Sequence, residues 1–125
     1  MGIPLFVYGT LKRSSPRSRH RLLQEARFVN TASIAGRLYD LGSYPGVFRD
    51  SAKERVRGEL YELPATSAPR ALRALDHYEG PEYVRRRVFV TLRDGSRRLA
   101  WTYLLRKRPP KSVRRLRSGR YVPGR

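Results

Sequence analysis

The sequence predicts a single α+β domain in which about six strands, mostly antiparallel, curl into a barrel around a cavity and carry one well-marked helix. Three observations lead there. The chain has 125 residues, the size of one domain with one modest core. Short runs of β-forming residues alternate with Gly and Pro turn signals along most of its length. One segment, Ala68 to Glu79, has helical spacing with both ends marked.

In chain order, Ile3-Pro4-Leu5-Phe6-Val7-Tyr8 is a run of β-formers that stops at Gly9, which predicts a buried strand feeding a tight turn. Lys12 to Arg21 is basic and Ser-rich and reads as a loop, with a short helix expected around Leu22 to Ala26. Strands are predicted at Ser33–Asp40 and Val56–Leu63, with Gly42 and Pro45-Gly46 marking the turns between them. Along the second, Val56, Gly58, Leu60 and Glu62 share one face, and Arg57, Glu59, Tyr61 and Leu63 the other. Gly36 and Gly58, inside these strands, point to bulges or close backbone approach.

The helix has Thr66 or Ser67 to cap it and Pro69 in its first turn, where a missing N–H is tolerated. Gly80 ends it and Pro81 prevents its resumption. Asp94-Gly95 then predicts a hairpin between Val88–Leu92 and Leu99–Leu105. Seven Lys or Arg residues crowd Arg106 to Arg117, a density common in interaction tails. Residues 1–105 are therefore read as the domain, and 106–125 as a basic C-terminal segment, partly packed or flexible.

Composition narrows the function. With 28 Lys and Arg against 10 acidic residues the chain carries +18, and its pI is near 11.5. Such a balance attracts polyanions, nucleic acid included; the plainer reading is an arginine-rich surface with only nonspecific contacts. No stretch approaches the ~20 apolar residues of a membrane-spanning helix, so no membrane span is expected. Met1 to Tyr8 shows no basic n-region or long apolar h-region, and a cytoplasmic location is the expectation. Without cysteine there is no disulfide or thiolate chemistry, and His20 and His77 are too few for a structural zinc site.

Two places could carry chemistry. Leu72, Leu75 and Glu79 share a helix face, so leucines that point inward carry the carboxyl inward with them. Burial would raise its pKa, and Asp76 beside it would push the same way, toward what acid–base catalysis requires. The competing reading is a helix-end carboxylate in solvent or paired with an arginine, and spacing alone favours it. The second place is Tyr8-Gly9-Thr10-Leu11, where glycine lets consecutive N–H groups converge on an anion. A plain tight turn is the alternative. Lys12 does not make a P-loop, since the second Gly of that pattern is missing. Glu79 and Glu82 flank a Gly-Pro break that sets no glycosidase separation. Trp101 and Tyr103 share a strand face and read as core, and His77 as a solvated helix residue.

Read in order, these segments resemble the gamma-glutamylcyclotransferase-like family, which includes AIG2-like and gamma-glutamylamine cyclotransferase proteins. The likeness begins at Phe6-Val7-Tyr8-Gly9-Thr10-Leu11-Lys12, which matches the family's Y-G-[ST]-L turn. It continues through Gly36-Arg37-Leu38-Tyr39-Asp40-Leu41-Gly42, Tyr44-Pro45-Gly46-Val47 and Val56-Arg57-Gly58-Glu59-Leu60-Tyr61. Leu75-Asp76-His77-Tyr78-Glu79-Gly80, then Tyr83, Arg85 and Val88, and Ala100-Trp101-Thr102-Tyr103-Leu104 complete it over residues 5–105.

The resemblance implies a mixed, mostly antiparallel β-barrel with flanking short helices and a pocket at the Y-G-T-L turn. It implies a gamma-glutamyl substrate cyclised to 5-oxoproline with release of an amine or amino acid, and no metal or cofactor. Glu79 would be the catalytic acid and base. Tyr8, Gly9, Thr10 and Leu11 would bind the substrate, with Tyr83 and Tyr103 as further pocket residues and Tyr121 as a C-terminal aromatic. The charge of +18 departs from the family's usual composition. It keeps open an alternative, a nucleic-acid-binding protein on an inactive scaffold of this kind.

Overall fold

The computed structural model describes residues 2–8, 25–42, 44–49 and 53–121. Their elements are β1 (Gly2–Val7), β2 (Arg27–Ala35), β3 (Arg37–Asp40), β4 (Pro45–Phe48), β5 (Arg55–Pro64), α1 (Ala68–Glu79), β6 (Tyr83–Leu92), β7 (Arg97–Leu105) and β8 (Arg114–Arg115). The helix has the predicted bounds, with Pro in its first turn and Gly80 at its end. The Asp94-Gly95 turn joins β6 to β7 in the long antiparallel ladder from Tyr83↔Leu105 to Thr91↔Arg97. Leu22, Leu23 and Gln24 of the expected short helix lie outside the described residues.

Five strands close a barrel in the order β1-β5-β2-β6-β7. Its neighbours are antiparallel except for β1 and β7, which meet in parallel at Leu5↔Trp101. The other three strands form a separate sheet, β4-β3-β8. This corrects the expectation of about six strands in one barrel, and Gly36 is the reason. The predicted strand Ser33–Asp40 breaks there, at φ +155, and a Cβ at this position would lie 2.7 Å from Val47 Cγ1. The missing side chain lets the backbone leave the barrel as β2 and enter the second sheet as β3.

Alternation along the barrel strands sorts the core into two layers. Phe6, Ile34, Leu60, Val90 and Ala100 fill the barrel, and Leu38 and Val47 of the second sheet join their cluster. Leu5, Leu63 and Tyr103 face the other way and take Leu72 and Leu75 of α1. The helix thus lies on the outer wall of the barrel with its leucine face inward.

Beyond Leu105 the basic segment continues into this body. β8 pairs with β3 through Tyr39↔Arg115 and Asp40↔Arg114. Arg115 forms an ion pair with Glu54, the Leu116 N–H donates to the Leu38 carbonyl at 2.8 Å, and Tyr121 is buried. Among the described residues no helix is long and apolar enough to cross a membrane.

Candidate active site

The end of β1, the end of α1, the start of β6 and the middle of β7 enclose a cavity of about 340 Å³. Tyr8, Glu79, Tyr83 and Tyr103 all line it, joined by Tyr44 and Thr102. The structure therefore brings together four of the residues singled out from the sequence. Gly9, Thr10 and Leu11 lie outside the described residues.

Each tyrosine is held by its own hydroxyl. Tyr8 is buried at the end of β1, where its hydroxyl donates to the Tyr103 carbonyl at 2.7 Å and accepts from the Val47 N–H at 3.3 Å. One side chain thereby ties β1, β7 and β4 around the cavity. Tyr83 donates to the Pro45 carbonyl, and Tyr103 donates to Asp76 Oδ1 at 2.6 Å. Tyr44 donates to Glu82 Oε1 at 2.6 Å at the rim. Fixed rotamers of this kind give a site a stable shape before any ligand arrives.

Glu79 is the exception among these side chains. It closes the last turn of α1, half-buried, and no hydrogen bond or ion pair reaches its carboxyl among the described residues. Burial alone raises its pKa from 4.5 to about 7, because the charged form loses hydration without gaining a partner. Its influence is felt by its neighbours. Burial, and after it nearby charge including that of Glu79, pushes the hydroxyls of Tyr8, Tyr83 and Tyr103 above the ordinary tyrosine range.

Asp76 corrects one expectation. It does not press on Glu79; it turns to β6, where Arg85 grips both carboxyl oxygens at 2.8 and 3.2 Å. The Arg85 guanidinium first, and the Tyr103 hydroxyl after it, hold its pKa below the usual carboxylate value. Two acids three residues apart thus receive opposite environments, one neutral-leaning in the cavity and one firmly ionised against the barrel wall.

Other cavity residues were not singled out as site residues, Tyr44, Pro45 and Thr102 among them. Tyr44 lies in a segment quoted for its likeness, and Pro45, expected in a turn, instead opens β4; their place at the cavity needs the second sheet to fold against β7. Thr102 donates to the Phe6 carbonyl at 2.9 Å from the inner face of β7. Strand alternation beside Tyr103 could have indicated that it faces inward, but not that a cavity lies there. Among the described residues no three His, Asp or Glu side chains converge as a metal would require.

A half-buried acid able to hold or release a proton near neutrality is thus set among fixed tyrosines in a small cavity. The chain belongs to the AIG2-like gamma-glutamyl cyclotransferase family, whose model matches residues 5–123. It is 36% identical over 102 residues to gamma-glutamylaminecyclotransferase of Bos taurus, an alignment covering 71% of this chain and 56% of that one. The chain thus spans little more than half the length of that relative. Its fold is similar to that of an AIG2-like protein from Mus musculus, with a TM-score of 0.77 at 24% identity over 96% of this chain and 88% of that one. It is also similar to YkqA from Bacillus subtilis, with a TM-score of 0.73 at 28% identity over 97% of this chain and 40% of that one.

Proposed function

We propose that this protein cyclises a gamma-glutamyl group to 5-oxoproline and releases the amine that the group carried, with Glu79 as acid and base. The observation that carries the reading is the Glu79 carboxyl in the cavity, without a partner among the described residues and with a pKa of about 7. Family membership supports the gamma-glutamyl part, and the name of the bovine relative favours an amine as the leaving group.

The substrate's own α-nitrogen attacks its side-chain amide carbonyl, forming the ring C–N bond. The bond from that carbon to the leaving nitrogen then breaks. Glu79, ionised, takes one proton from the α-ammonium so that the amine can attack and gives it to the departing nitrogen; the second proton, shed by the ring nitrogen after the bond forms, leaves with the amine as its ammonium, so the enzyme ends as it began. A group with a pKa near the working pH suits both halves of that exchange. Nucleophile and electrophile belong to one molecule, so the cavity's main task is to hold the folded conformer. Tyr8, Tyr83 and Tyr103 would supply its walls, and the backbone of Gly9, Thr10 and Leu11 the donors for the glutamyl end and the oxyanion. At about 340 Å³ the cavity suits one small polar molecule.

The test is release of 5-oxoproline from a gamma-glutamyl amine by the purified chain. Glu79→Gln is expected to lower kcat about 10²–10⁴-fold with an unchanged circular-dichroism spectrum. A Glu79→Gln variant of full activity would remove this mechanism.

A further inference from the structure

Beyond the cavity, the outer face of the β6–β7 hairpin has an unusual composition for a surface. Register places Arg87 opposite Trp101, Phe89 opposite Leu99 and Thr91 opposite Arg97, and these six side chains share one face. Phe89 is 51% exposed and Leu99 44%, while Trp101 is half-buried toward the helix side. Guanidinium groups lie over the rings: Arg85 at 4.5 Å and Arg87 at 5.6 Å from the Trp101 centroid, Arg97 at 4.4 Å from that of Phe89. Arg87 and Arg97 have no carboxylate partner among the described residues.

The face continues around the barrel through Thr91 into a second hollow of about 580 Å³. Arg57, Arg93 and Arg120 stand on its wall, exposed and likewise without a carboxylate partner among the described residues. The one acid there, Glu59, is buried and accepts from the Tyr61 hydroxyl at 3.0 Å. Arg55 beside it donates to the hydroxyls of Ser33 and Thr91. Burial first, then the charges of Arg49 and Arg97, weaken its hold on its proton, as a concentrated positive field would.

Net charge draws any polyanion but gives no use for large rings on the outer face of a sheet. Rings interleaved with guanidinium groups that have no carboxylate partner among the described residues have one natural complement, a strand whose flat bases are open on both sides and whose phosphates recur beside them. A duplex hides its base faces, and an acidic protein surface offers charge without the flat partners. We propose that this face binds single-stranded nucleic acid, with bases stacking on Phe89 and Trp101 and phosphates held by Arg87, Arg97 and the arginines of the second hollow. The surface shares no residue with the Glu79 cavity, so the two activities stand or fall separately.

The full chain tests this directly, because Trp101 is its only tryptophan. Oligo(U) and oligo(dT) of about 20 nucleotides, several times the shortest single-strand site, should quench its fluorescence. Affinity, read by anisotropy of a labelled strand, should fall with salt by a log–log slope of about 0.7 for each phosphate contacted. Phe89→Ala should weaken binding about 10-fold and Phe89→Trp should restore it, since stacking tolerates any aromatic ring. Arg70→Gln, an exposed arginine on α1 outside the residues named for this face, should change affinity less than about 2-fold. Heparin, which has charge but no bases, should bind with no dependence on Phe89. Wild-type affinity in Phe89→Ala would overturn the proposal. So would a Phe89→Ala variant that loses self-association while holding oligonucleotide as before, which would make the face a contact between copies.

Discussion

Burial of Glu79 has opposite consequences for catalysis and for stability. Its folded pKa is about 7 against an ordinary 4.5. Below pH 4.5 both folded and unfolded chains hold the proton and burial carries no ionic penalty. Between that value and about 7 the unfolded chain ionises while the folded one does not, so stability falls as pH rises and stays lower above. Glu79→Gln is therefore expected to be the more stable protein at pH 8, by on the order of 1–2 kcal/mol after allowance for partial exposure, with the gain gone near pH 4. Urea melts at the two pH values check it. If the ionised form starts the reaction, kcat/KM of the unmodified chain should rise through an inflection near pH 7. Asp76 has the opposite sign: its pKa is depressed, so its contribution is present above about 3.8 and lost as pH falls below. Asp76→Asn should cost about 0.5–1 kcal/mol at pH 7, the pair being partly exposed, and progressively less as pH falls through the depressed folded pKa. Spacing on the Leu72–Leu75 face put Glu79 on the inward side but by itself favoured a solvent-facing helix end, and the family resemblance turned the reading inward. The fate of Asp76 was not legible, because its partners Arg85 and Tyr103 lie on strands that only tertiary folding brings beside the helix.

At the scale of elements, the end of α1 is where fold and chemistry meet. Gly80 takes φ +85 with ψ −176, a region open in practice only to glycine, and its N–H donates to the Asp76 carbonyl at 3.2 Å. Open space surrounds the position, so Gly80→Ala meets no clash and its effect is purely backbone strain. The expected cost is about 1–3 kcal/mol in a thermal or urea melt. It should come with a reduced rate, since the adjustment falls on the residue after Glu79. The bounds of this helix and the β6–β7 hairpin could be read from the chain because Pro69, Gly80 and Asp94-Gly95 act locally, although Ser67 gives no side-chain cap and turns its hydroxyl to the Pro64 carbonyl instead. The break between β2 and β3 could not. Ile34, Ala35, Arg37, Leu38 and Tyr39 keep a strand-like composition on either side of Gly36, and only packing against Val47 reveals that the chain changes sheets there.

For the molecule as a whole, the basic C-terminal segment behaves differently from a solvated tail. Local charge density marked it as separable, but the pairing of β8 with β3, the Arg115–Glu54 ion pair and the burial of Tyr121 make it part of the second sheet. Removing residues after Leu105 should therefore lower Tm by on the order of 10 °C, well beyond the loss of a few exposed arginines, as calorimetry of the truncated chain would report. Why composition could not show this is plain: the apolar anchors are few, and their receptor surface is made by β3 and β5, far upstream. The ring itself has a consequence for how the chain matures. β1 sits between β5 and β7, so it waits for its second neighbour until every other strand of the barrel has been synthesised. Closure is thus a late, long-distance search, and refolding should take milliseconds to seconds, slower than helical proteins of equal length.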